Sequence, residues 1–347
     1  MKRRTRAKNN IRKWVERFFA ILVVVIVLLL GALTIRELYY RSIHVRNGQY
    51  TDNGGAADEI KYKGDNYKYN KNIRTILLLG LDCEKMGDKV QSEGLKTKGP
   101  RSDTMILLII NKKAKSLKIF PISRDSIVPI DVFDYSGEFQ HTVKEHLCLQ
   151  YAFAGGGKKS GEYTSKAVSN MLYGIRIDEY LAVDQSTVKV LADMVGGVSV
   201  TALETLYDDD GKVRFTEGEE YDLKGQDALD YVRLRYRDHS GGNDRRMERQ
   251  RQFVAGFLEK YKKMVKADPK MFFRSYKMMK PHMETSINAL DVAGLFLTMR
   301  HIKLSEAEYL CEPGETRLNV KSSHDEFYID DERMYEMVLE NFYTKIK

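Results

Sequence analysis

The stretch that decides the fold is ILLLGLD at residues 76–82, a run of large apolar residues that ends in a glycine and an acid. An unbroken apolar run without alternation is typical of a strand buried on both faces, and we expect that strand at 75–81. Two further runs of the same kind follow at 104–110 and 117–122. Other segments have apolar residues at helical spacing, and the clearest of them is a long helix expected at about 245–263. The mixture predicts an α/β domain whose sheet is covered on both faces.

Charged residues stand where these three strands begin or end. Asp82 closes the first run, Arg101 and Asp103 open the second, and Arg124 and Asp125 follow the third. In open α/β sheets, ligands bind beyond the ends of such strands. Carboxylates held there suit Mg²⁺, which takes oxygen ligands and keeps several waters, so Asp82 and Asp103 are candidate metal ligands. The alternative is that both aspartates are turn residues or helix caps.

A second group of cations lies in the segment YVRLRYR at residues 231–237. If this segment is a strand, its two-residue period puts Arg233, Arg235 and Arg237 on one face within about 14 Å. Three cations so close repel one another unless an anion lies among them, and the planar guanidinium binds phosphate oxygens in pairs. The segment therefore predicts a phosphate-binding strand, with a solvated edge strand as the alternative.

The long helix adds more cations. Arg246, Gln250 and Phe253 share one helical stripe beside the apolar face, and Arg249 lies about 60° further round. An inward-leaning guanidinium needs an anionic partner, because burying an unpaired charge is costly. For Arg246 that partner is either one of the aspartates at the strand ends or a bound phosphate. Carboxylates for a metal together with arginines for an anion are the residues of phosphoryl-transfer chemistry.

Composition excludes two broad classes of protein. The 347 residues are 43% apolar and 10% aromatic, which excludes a disordered chain. Of the net charge of +8, residues 1–17 supply +7, because they hold eight basic and one acidic side chain while the other 330 residues hold 49 and 48. The body of the chain lacks the basic footprint of a nucleic-acid-binding domain, so no nucleic-acid partner is expected.

Residues 18–35 predict a membrane anchor. They are 18 consecutive uncharged residues, enough for about 27 Å of helix against a hydrocarbon core of about 30 Å. The basic residues before them predict a cytoplasmic tail at 1–17 and an extracellular body. A cleaved signal peptide or a buried helix are the alternatives. The polar segment 36–72 is expected to be an extracellular stalk, and 73–347 the catalytic domain.

The extracellular location constrains the chemistry. A domain outside the cell has no nucleotide pool, so the energy of any transfer reaction must be stored in the substrate. Cys83, beside Asp82, is a weak candidate nucleophile, because no histidine is close to it in sequence.

Taken in order, these motifs resemble those of the LytR-CpsA-Psr family. The resemblance runs from about residue 73 to about residue 343 behind one N-terminal apolar segment. The motifs that carry it are ILLLGLD (76–82), RSDTMILL (101–108), ISRD (122–125), GGV (196–198), ALDYVRLRYRD (228–238) and RMERQRQ (246–252).

The resemblance implies a fold and an activity. Proteins of this family look like single-pass membrane enzymes of Gram-positive envelopes, with a three-layer α/β/α domain around a central mixed sheet and a long apolar pocket. They transfer anionic glycopolymers, such as teichoic acid or capsule, from an undecaprenyl-pyrophosphate carrier to peptidoglycan. A hydroxyl of the acceptor sugar attacks the phosphorus next to the donor sugar, and the lipid phosphate leaves.

The resemblance also implies roles for individual residues. Asp82 and Asp103 match the family's Mg²⁺-linked aspartates, and one of Asp82, Asp103 or Asp125 acts as the base. With Arg101 and Arg124 they form the expected catalytic set. The residues that match the pyrophosphate-binding positions are Arg101, Arg124, Arg233, Arg235, Arg246, Arg249 and Gln250.

Three hypotheses from different classes follow. The first is a membrane-anchored glycopolymer phosphotransferase. The second is a hydrolase of polyprenyl or nucleotide pyrophosphates that uses water as the acceptor. The third is a module that binds or senses anionic envelope polymers without catalysis. The pair of carboxylates distinguishes the first two from the third, since the capture of an anion has no use for them.

Overall fold

The structure is a computed structural model. It describes residues 57–88, 99–208, 210–234, 242–288, 291, 294–295, 298, 302, 306–320 and 324–346. The predicted membrane helix at 18–35, the tail before it and the first part of the predicted stalk lie outside the described residues. Within the described ranges, no helix combines the length and the apolar content needed to cross a bilayer.

Along the described chain, seven strands come first, and helices lie between the later strands. The strands are β1 (Glu59–Tyr62), β2 (Asp65–Tyr69), β3 (Ile73–Leu81), β4 (Ser102–Asn111), β5 (Ser116–Ile122), β6 (Ile127–Phe133), β7 (Phe139–His146), β8 (Glu179–Val183), β9 (Val198–Thr201), β10 (Leu206–Tyr207), β11 (Val213–Phe215), β12 (Glu220–Leu223), β13 (Met283–Thr285), β14 (Glu308–Tyr309), β15 (Gly314–Asn319), β16 (His324–Ile329) and β17 (Tyr343–Ile346). The helices are α1 (Leu149–Phe153), α2 (Gly157–Met171), α3 (Thr187–Met194), α4 (Gly225–Arg233), α5 (Gly242–Ala267), α6 (Met271–Met279) and α7 (Asp331–Phe342).

The central sheet is mixed and has the strand order β13-β8-β3-β4-β5-β14. β4 is antiparallel to both β3 and β5, whereas β8 runs parallel to β3 and β14 runs parallel to β5. The three predicted strands are confirmed as β3, β4 and β5: β3 and β5 begin two residues and one residue earlier than predicted, and β4 is longer by two residues at its start and one at its end. The long helix is confirmed as α5, which is longer than the predicted 245–263.

Both faces of this sheet pack against helices, as the unbroken apolar runs predict. On one face, Leu77 of β3 and Leu107 of β4 lie in the main core with Val168 of α2 and Leu339 of α7. On the other face, residues such as Ile76 pack against α6 and the segment that follows it. Large apolar side chains at alternate positions of these strands thus pack into two different cores. Each fully buried side chain stabilises the fold by about 1.5–3 kcal/mol.

The predicted stalk is wrong for its second half. Residues 57–72 contain β1 and β2, which pair with each other, and β2 also pairs with β17 near the C-terminus in a small antiparallel sheet. The tyrosines of these strands, such as Tyr62 and Tyr69, pack against the main core. The polar composition of this segment suggested a stalk because one face of the short sheet is solvated. An alternation of polar and apolar residues is also hard to recognise over four or five residues.

The predicted arginine strand at 231–237 is also wrong where the structure describes it. Residues up to Arg233 form α4, and the chain becomes extended only at Leu234. Tyr231 and Val232 are both buried against α5 and the β9–β12 pair. Two adjacent buried residues fit a helical face better than a strand with a two-residue period, so Arg233 does not share a strand face with Arg235 and Arg237.

Candidate active site

The strand ends that carry the predicted charged residues lie at one edge of the central sheet. The end of β3 meets the start of β4, where Leu81 pairs with Ser102. β5 returns antiparallel to β4, so that its last residue, Ile122, pairs with Met105. Adjacent strands lie about 5 Å apart. The topology therefore brings together five of the predicted site residues, namely Asp82, Arg101, Asp103, Arg124 and Asp125.

Asp82 and Arg101 hold each other by three hydrogen bonds, one of which runs from the Asp82 N–H to the Arg101 carbonyl oxygen at 3.0 Å. The backbone N–H of Arg101 donates to Asp82 Oδ1 at 2.6 Å, and the Arg101 Nε–H donates to Oδ2 at 2.9 Å. The Asp82 side chain is 12% exposed, whereas that of Arg101 is 38% exposed. The carboxylate is thus fixed at the base of the site, and the guanidinium extends from it towards solvent.

Asp103 occupies an irregular position at the start of β4. Gly80 pairs with Thr104 and Leu81 pairs with Ser102, so Asp103 is the extra residue of a β-bulge. A bulge changes the direction of a side chain without ending the strand, and bulges are common next to active sites. This local irregularity is what lets Asp103 take part in the cluster at the sheet edge.

Arg124 connects Asp103 with Asp125. Its Nη1 lies 2.6 Å from Asp103 Oδ1, and its Nε lies 3.2 Å from Asp125 Oδ1. Burial raises the pKa of Asp103, the charge of Arg124 opposes the rise, and the charge of Asp82 adds to it. The carboxyl of Asp103 is therefore close enough to that of Asp82 for the two charges to interact unfavourably.

This pair of carboxylates fits one common mode of Mg²⁺ binding. In the described ranges, no group of three or more His, Cys, Asp or Glu side chains could hold a metal ion by itself. Mg²⁺ is often bound by only one or two carboxylates together with substrate phosphates and water. The repulsion between Asp82 and Asp103 is what a cation between them would relieve, so the two residues fit a metal that is shared with a phosphorylated ligand.

Arg249 is an exception among the predicted pyrophosphate-binding residues. Its side chain is fully buried, and its Nε donates to Glu204 Oε1 at 3.0 Å. Its terminal nitrogens donate to the carbonyl oxygens of Tyr231 and Leu234. Burial lowers the pKa of Arg249. The geometry makes this guanidinium a structural link between α4 and α5, so the prediction that it contacts pyrophosphate is not supported.

Three of the other predicted anion-binding residues, Arg233, Arg246 and Gln250, lie on the same two helices. Arg233 is exposed in the last turn of α4, and Arg246 is partly buried near the start of α5. Gln250 Nε2 donates to the carbonyl oxygen of Val232 at 3.3 Å, so this side chain also joins α5 to α4. Arg235 lies outside the described residues. The aspartates at the strand ends pair with Arg101 and Arg124, and the partner of Arg246 stays a prediction.

The two cysteines near the site are not suited to act as nucleophiles. Cys83 and Cys148 are both buried. Burial raises the pKa of Cys83 to about 12, with the charge of Asp184 adding to it. Burial likewise raises the pKa of Cys148 to about 12. Since the thiolate is the reactive form, both groups are protonated and unreactive at neutral pH.

An apolar surface leads away from the charged edge along one face of the sheet. Ile106 of β4 lies between Leu78 of β3 and Pro121 of β5, and Leu108 lies beside Ile119. Of these five, Pro121 is exposed and the others are partly buried. The opposite face, with Leu77 and Leu79, is fully buried in the main core. On the first face, Leu78, Leu108 and Ile119 also pack against the second core, so only the part of them left uncovered is available to a ligand.

Glu312, which the sequence motifs do not single out, also reaches the charged edge. It accepts hydrogen bonds from the Ser123 N–H and the Ser126 hydroxyl, on either side of Arg124 and Asp125. Only the parallel pairing of β14 with β5 brings it there. No local sequence signal could have found it, because its partners lie nearly 190 residues away in the chain.

Known proteins are similar to this chain in sequence and in fold. Over 191 residues the chain is 33% identical to the polyisoprenyl-teichoic acid--peptidoglycan teichoic acid transferase TagU of Enterococcus faecalis, covering 55% of this chain and 54% of that one. Over 259 residues it is 27% identical to the transferase TagV of Bacillus subtilis, covering 73% and 58%. The crystal structure of B. subtilis TagV has a similar fold, with a TM-score of 0.56 and 24% identity over 78% of this chain and 98% of that one. The chain spans about half the length of the curated relatives it matches.

The family model described as LytR_cpsA_psr matches residues 41–341, a range that contains both the central sheet and the charged edge. That match covers most of the chain and agrees with the family suggested by the ordered motifs. The chain belongs to the LytR_cpsA_psr family.

Proposed function

We propose that this protein is a phosphotransferase that moves an anionic glycopolymer from a polyprenyl-pyrophosphate carrier to peptidoglycan. The names of the relatives support the direction of transfer, since they describe a polyisoprenyl-linked teichoic acid as donor and peptidoglycan as acceptor. The observation that carries the proposal is the cluster of two arginines and three aspartates at one edge of the central sheet.

Arg101 and Arg124 suit the diphosphate of such a donor. Each guanidinium is held by a carboxylate, so its plane is fixed before the ligand arrives. Each is also about one-third exposed, which leaves part of it open to a ligand. Donors that are fixed in advance stabilise the charge that develops on the leaving oxygen without a cost of reorganisation. In this proposal the two arginines bind the diphosphate and stabilise the departing lipid phosphate.

Asp82 and Asp103 would hold Mg²⁺ when the donor is bound. The metal would supply a Lewis acid that neutralises charge on the phosphate oxygens. Asp82, Asp103 or Asp125 would accept the proton of the acceptor hydroxyl as that hydroxyl attacks. Asp125 is 32% exposed and Asp103 is 34% exposed, so both are open to an incoming sugar hydroxyl.

The half-open face of the sheet suits the lipid part of the donor. Ile106, Leu108 and their neighbours form an apolar strip that begins at the bulge of Asp103. An isoprenoid chain bound there would leave its diphosphate beside Arg101 and Arg124. We propose the further arginines, Arg233, Arg235 and Arg246, as contacts for the same anion or for the polymer.

The apolar segment 18–35 would anchor the protein in the cell membrane with its catalytic domain outside the cell. A lipid-linked donor moves in the plane of the bilayer, so an anchored enzyme meets it without diffusing through solution. The pyrophosphate bond of the donor supplies the energy, and no nucleotide is needed. Polar residues 36–56 would span the distance between the bilayer and the first described strand.

The test uses the purified full-length chain with a synthetic polyprenyl-pyrophosphate saccharide, Mg²⁺ and peptidoglycan fragments. Mass spectrometry should detect saccharide phosphate joined covalently to the peptidoglycan sugar. Release of saccharide phosphate to water alone would indicate a hydrolase instead. Retention of the donor without turnover would indicate a binding protein, and either result would contradict the proposal.

A further inference from the structure

Glu312 lies where the chain passes the end of β5. β14 runs parallel to β5, with Tyr309 paired to Ile119, and the Leu310 N–H donates to the Ile119 carbonyl at 2.9 Å. The next residues continue in the same direction as β5 and arrive at its carboxyl end. There the chain of β5 turns over residues 123–126, the segment that contains Arg124 and Asp125.

The Glu312 carboxylate closes this turn from outside. Its Oε2 accepts the Ser123 N–H at 2.5 Å, and its Oε1 accepts the Ser126 hydroxyl at 2.8 Å. Within the turn, the Ser126 N–H donates to the Ser123 carbonyl at 3.3 Å. The carboxylate therefore joins the first and last residues of the turn, and Arg124 and Asp125 lie between its two contacts.

The contacts of Glu312 are all to neutral groups. In the described part of the chain, no lysine, arginine or histidine nitrogen pairs with it. Burying a carboxylate without a cation costs free energy, which only hydrogen bonds to the carboxylate can offset. Two donors converge on two different oxygens, and among side chains of this length only a carboxylate accepts with both.

We propose that Glu312 is a positioning residue that holds the 123–126 turn and, through it, the Arg124 guanidinium against Asp103. The role rests on the proposed function, because Arg124 is there one of the two arginines that bind the donor diphosphate. Glu312 itself touches neither of these charged side chains in the contacts above; it acts on the backbone that carries one of them.

Two substitutions separate positioning from charge. Glu312→Gln keeps one oxygen for the Ser123 N–H, and its amide can donate to the Ser126 hydroxyl, which rotates freely. Glu312→Ala removes both contacts. We expect Glu312→Ala to reduce kcat/KM about 100-fold, and Glu312→Gln to stay within about threefold of wild type. The matched control is Glu315→Ala, an exposed glutamate three residues on, which should behave as wild type.

A loss with Glu312→Gln as large as that with Glu312→Ala would overturn the proposal, because it would make the charge, and not the two contacts, essential. Wild-type turnover in Glu312→Ala would overturn it as well.

The coupling to Arg124 is tested with farnesyl pyrophosphate as the probe, by calorimetric titration of the full-length chain. If Glu312 acts through Arg124, then Glu312→Ala weakens binding in the wild-type background and has no further effect in Arg124→Ala. Additive losses in the double variant would contradict this coupling.

A measurement that needs no ligand keeps this inference separate from the proposed function. Hydrogen exchange of the Ser123 amide should be about tenfold faster in Glu312→Ala than in wild type or Glu312→Gln. Unchanged exchange would overturn the role of Glu312 whatever the protein binds. Failure of wild type to bind the probe would instead count against the proposed function.

Discussion

At the scale of single residues, Arg101 shows how the site holds a guanidinium in a fixed position. It makes two hydrogen bonds with Asp82 through its backbone and one through its side chain, so its position follows from that of Asp82. A guanidinium held in this way is a fixed donor for phosphate oxygens. Its loss should affect the reaction far more than the fold, because it is 38% exposed and its pairing is at the surface.

We predict that Arg101→Ala lowers turnover by at least about 100-fold, the effect of removing one pre-positioned donor to a developing anion. Arg235→Ala should have an effect of the same size, on the basis of the sequence alone. Steady-state kinetics and thermal melts check both. Unchanged turnover, or a melting temperature that falls as steeply as the activity, would contradict the assignment. Arg317→Ala, at an exposed position remote in sequence from the motifs, is the control.

At the scale of secondary-structure elements, Arg249 links two helices. Its guanidinium on α5 binds Glu204 and the carbonyl oxygens at the end of α4. Removing one partner of a buried pair leaves the other charge uncompensated and costs about 3–5 kcal/mol. We therefore predict that Arg249→Met lowers the free energy of unfolding by about that amount, as measured by urea denaturation.

The control for this prediction lies on the same helix. Arg245 is 58% exposed, and its contact to Glu248 is a loose surface pair. Arg245→Met should change stability by less than about 0.5 kcal/mol. Stability equal to wild type in Arg249→Met, together with a selective loss of ligand binding, would instead support the role in anion binding that the family resemblance suggested.

The junction between β5 and β14 should make stability depend on pH. Burial raises the pKa of Glu312 from its ordinary 4.5 to about 7. Between these values the unfolded chain has lost a proton that the native chain retains, so stability falls as pH rises through this window. At pH 8 the Glu312 carboxyl is ionised in the native protein. The resulting loss of unfolding free energy is at most about 3 kcal/mol, from the size of the pKa shift.

We predict that Glu312→Gln, which has no titrating group, removes this slope. The difference in unfolding free energy between Glu312→Gln and wild type should grow from pH 4.5 to pH 7 and then stay constant. Urea denaturation at a series of pH values measures it. A difference that is the same at all pH values would show that Glu312 is already ionised at its ordinary pKa in the native protein.

At the scale of the whole molecule, the N- and C-terminal parts of the described chain fold together. β17 pairs with β2, and the ring of Tyr69 packs edge-on against that of Tyr343 at 5.4 Å. Tyr62 packs in the same way against Tyr335 at 5.2 Å. The domain therefore begins before β3, although the motifs that identify the family start there.

This arrangement predicts the result of truncation. A chain that starts at residue 57 keeps β1 and β2, whereas one that starts at residue 73 loses them and uncovers part of the main core. The four partly buried apolar side chains of these strands are worth about 4 kcal/mol together. Thermal melts should show a clearly lower midpoint for the chain that starts at 73. Equal midpoints would show that β1 and β2 are dispensable.

Much of this architecture could be predicted because its signals are local. Unbroken apolar runs located β3, β4 and β5, and a regular helical stripe located α5. The acids and arginines at the strand ends could be placed together because neighbouring strands share an edge. The family resemblance then supplied the function, which no single residue pattern could specify.

The errors arose where the deciding contact is distant in sequence. The alternation in YVRLRYR suggested a strand, but packing of Tyr231 and Val232 against α5 favours a helix. Arg249 carries a family motif, yet the position of Glu204 and two carbonyl oxygens determines what it binds. Glu312 has no motif at all, and only the pairing of β14 with β5 reveals its contacts.

The central claim is that the acceptor attacks the sugar-linked phosphorus of a polyprenyl-pyrophosphate donor, beside Arg101 and Arg124. A donor labelled with ³²P only at that phosphorus tests it most directly. After reaction with peptidoglycan fragments, we predict that the label is joined to the peptidoglycan sugar and that unlabelled polyprenyl phosphate is released. Label that stays with the lipid while saccharide is transferred, or label that appears only as saccharide phosphate in solution, would contradict the account.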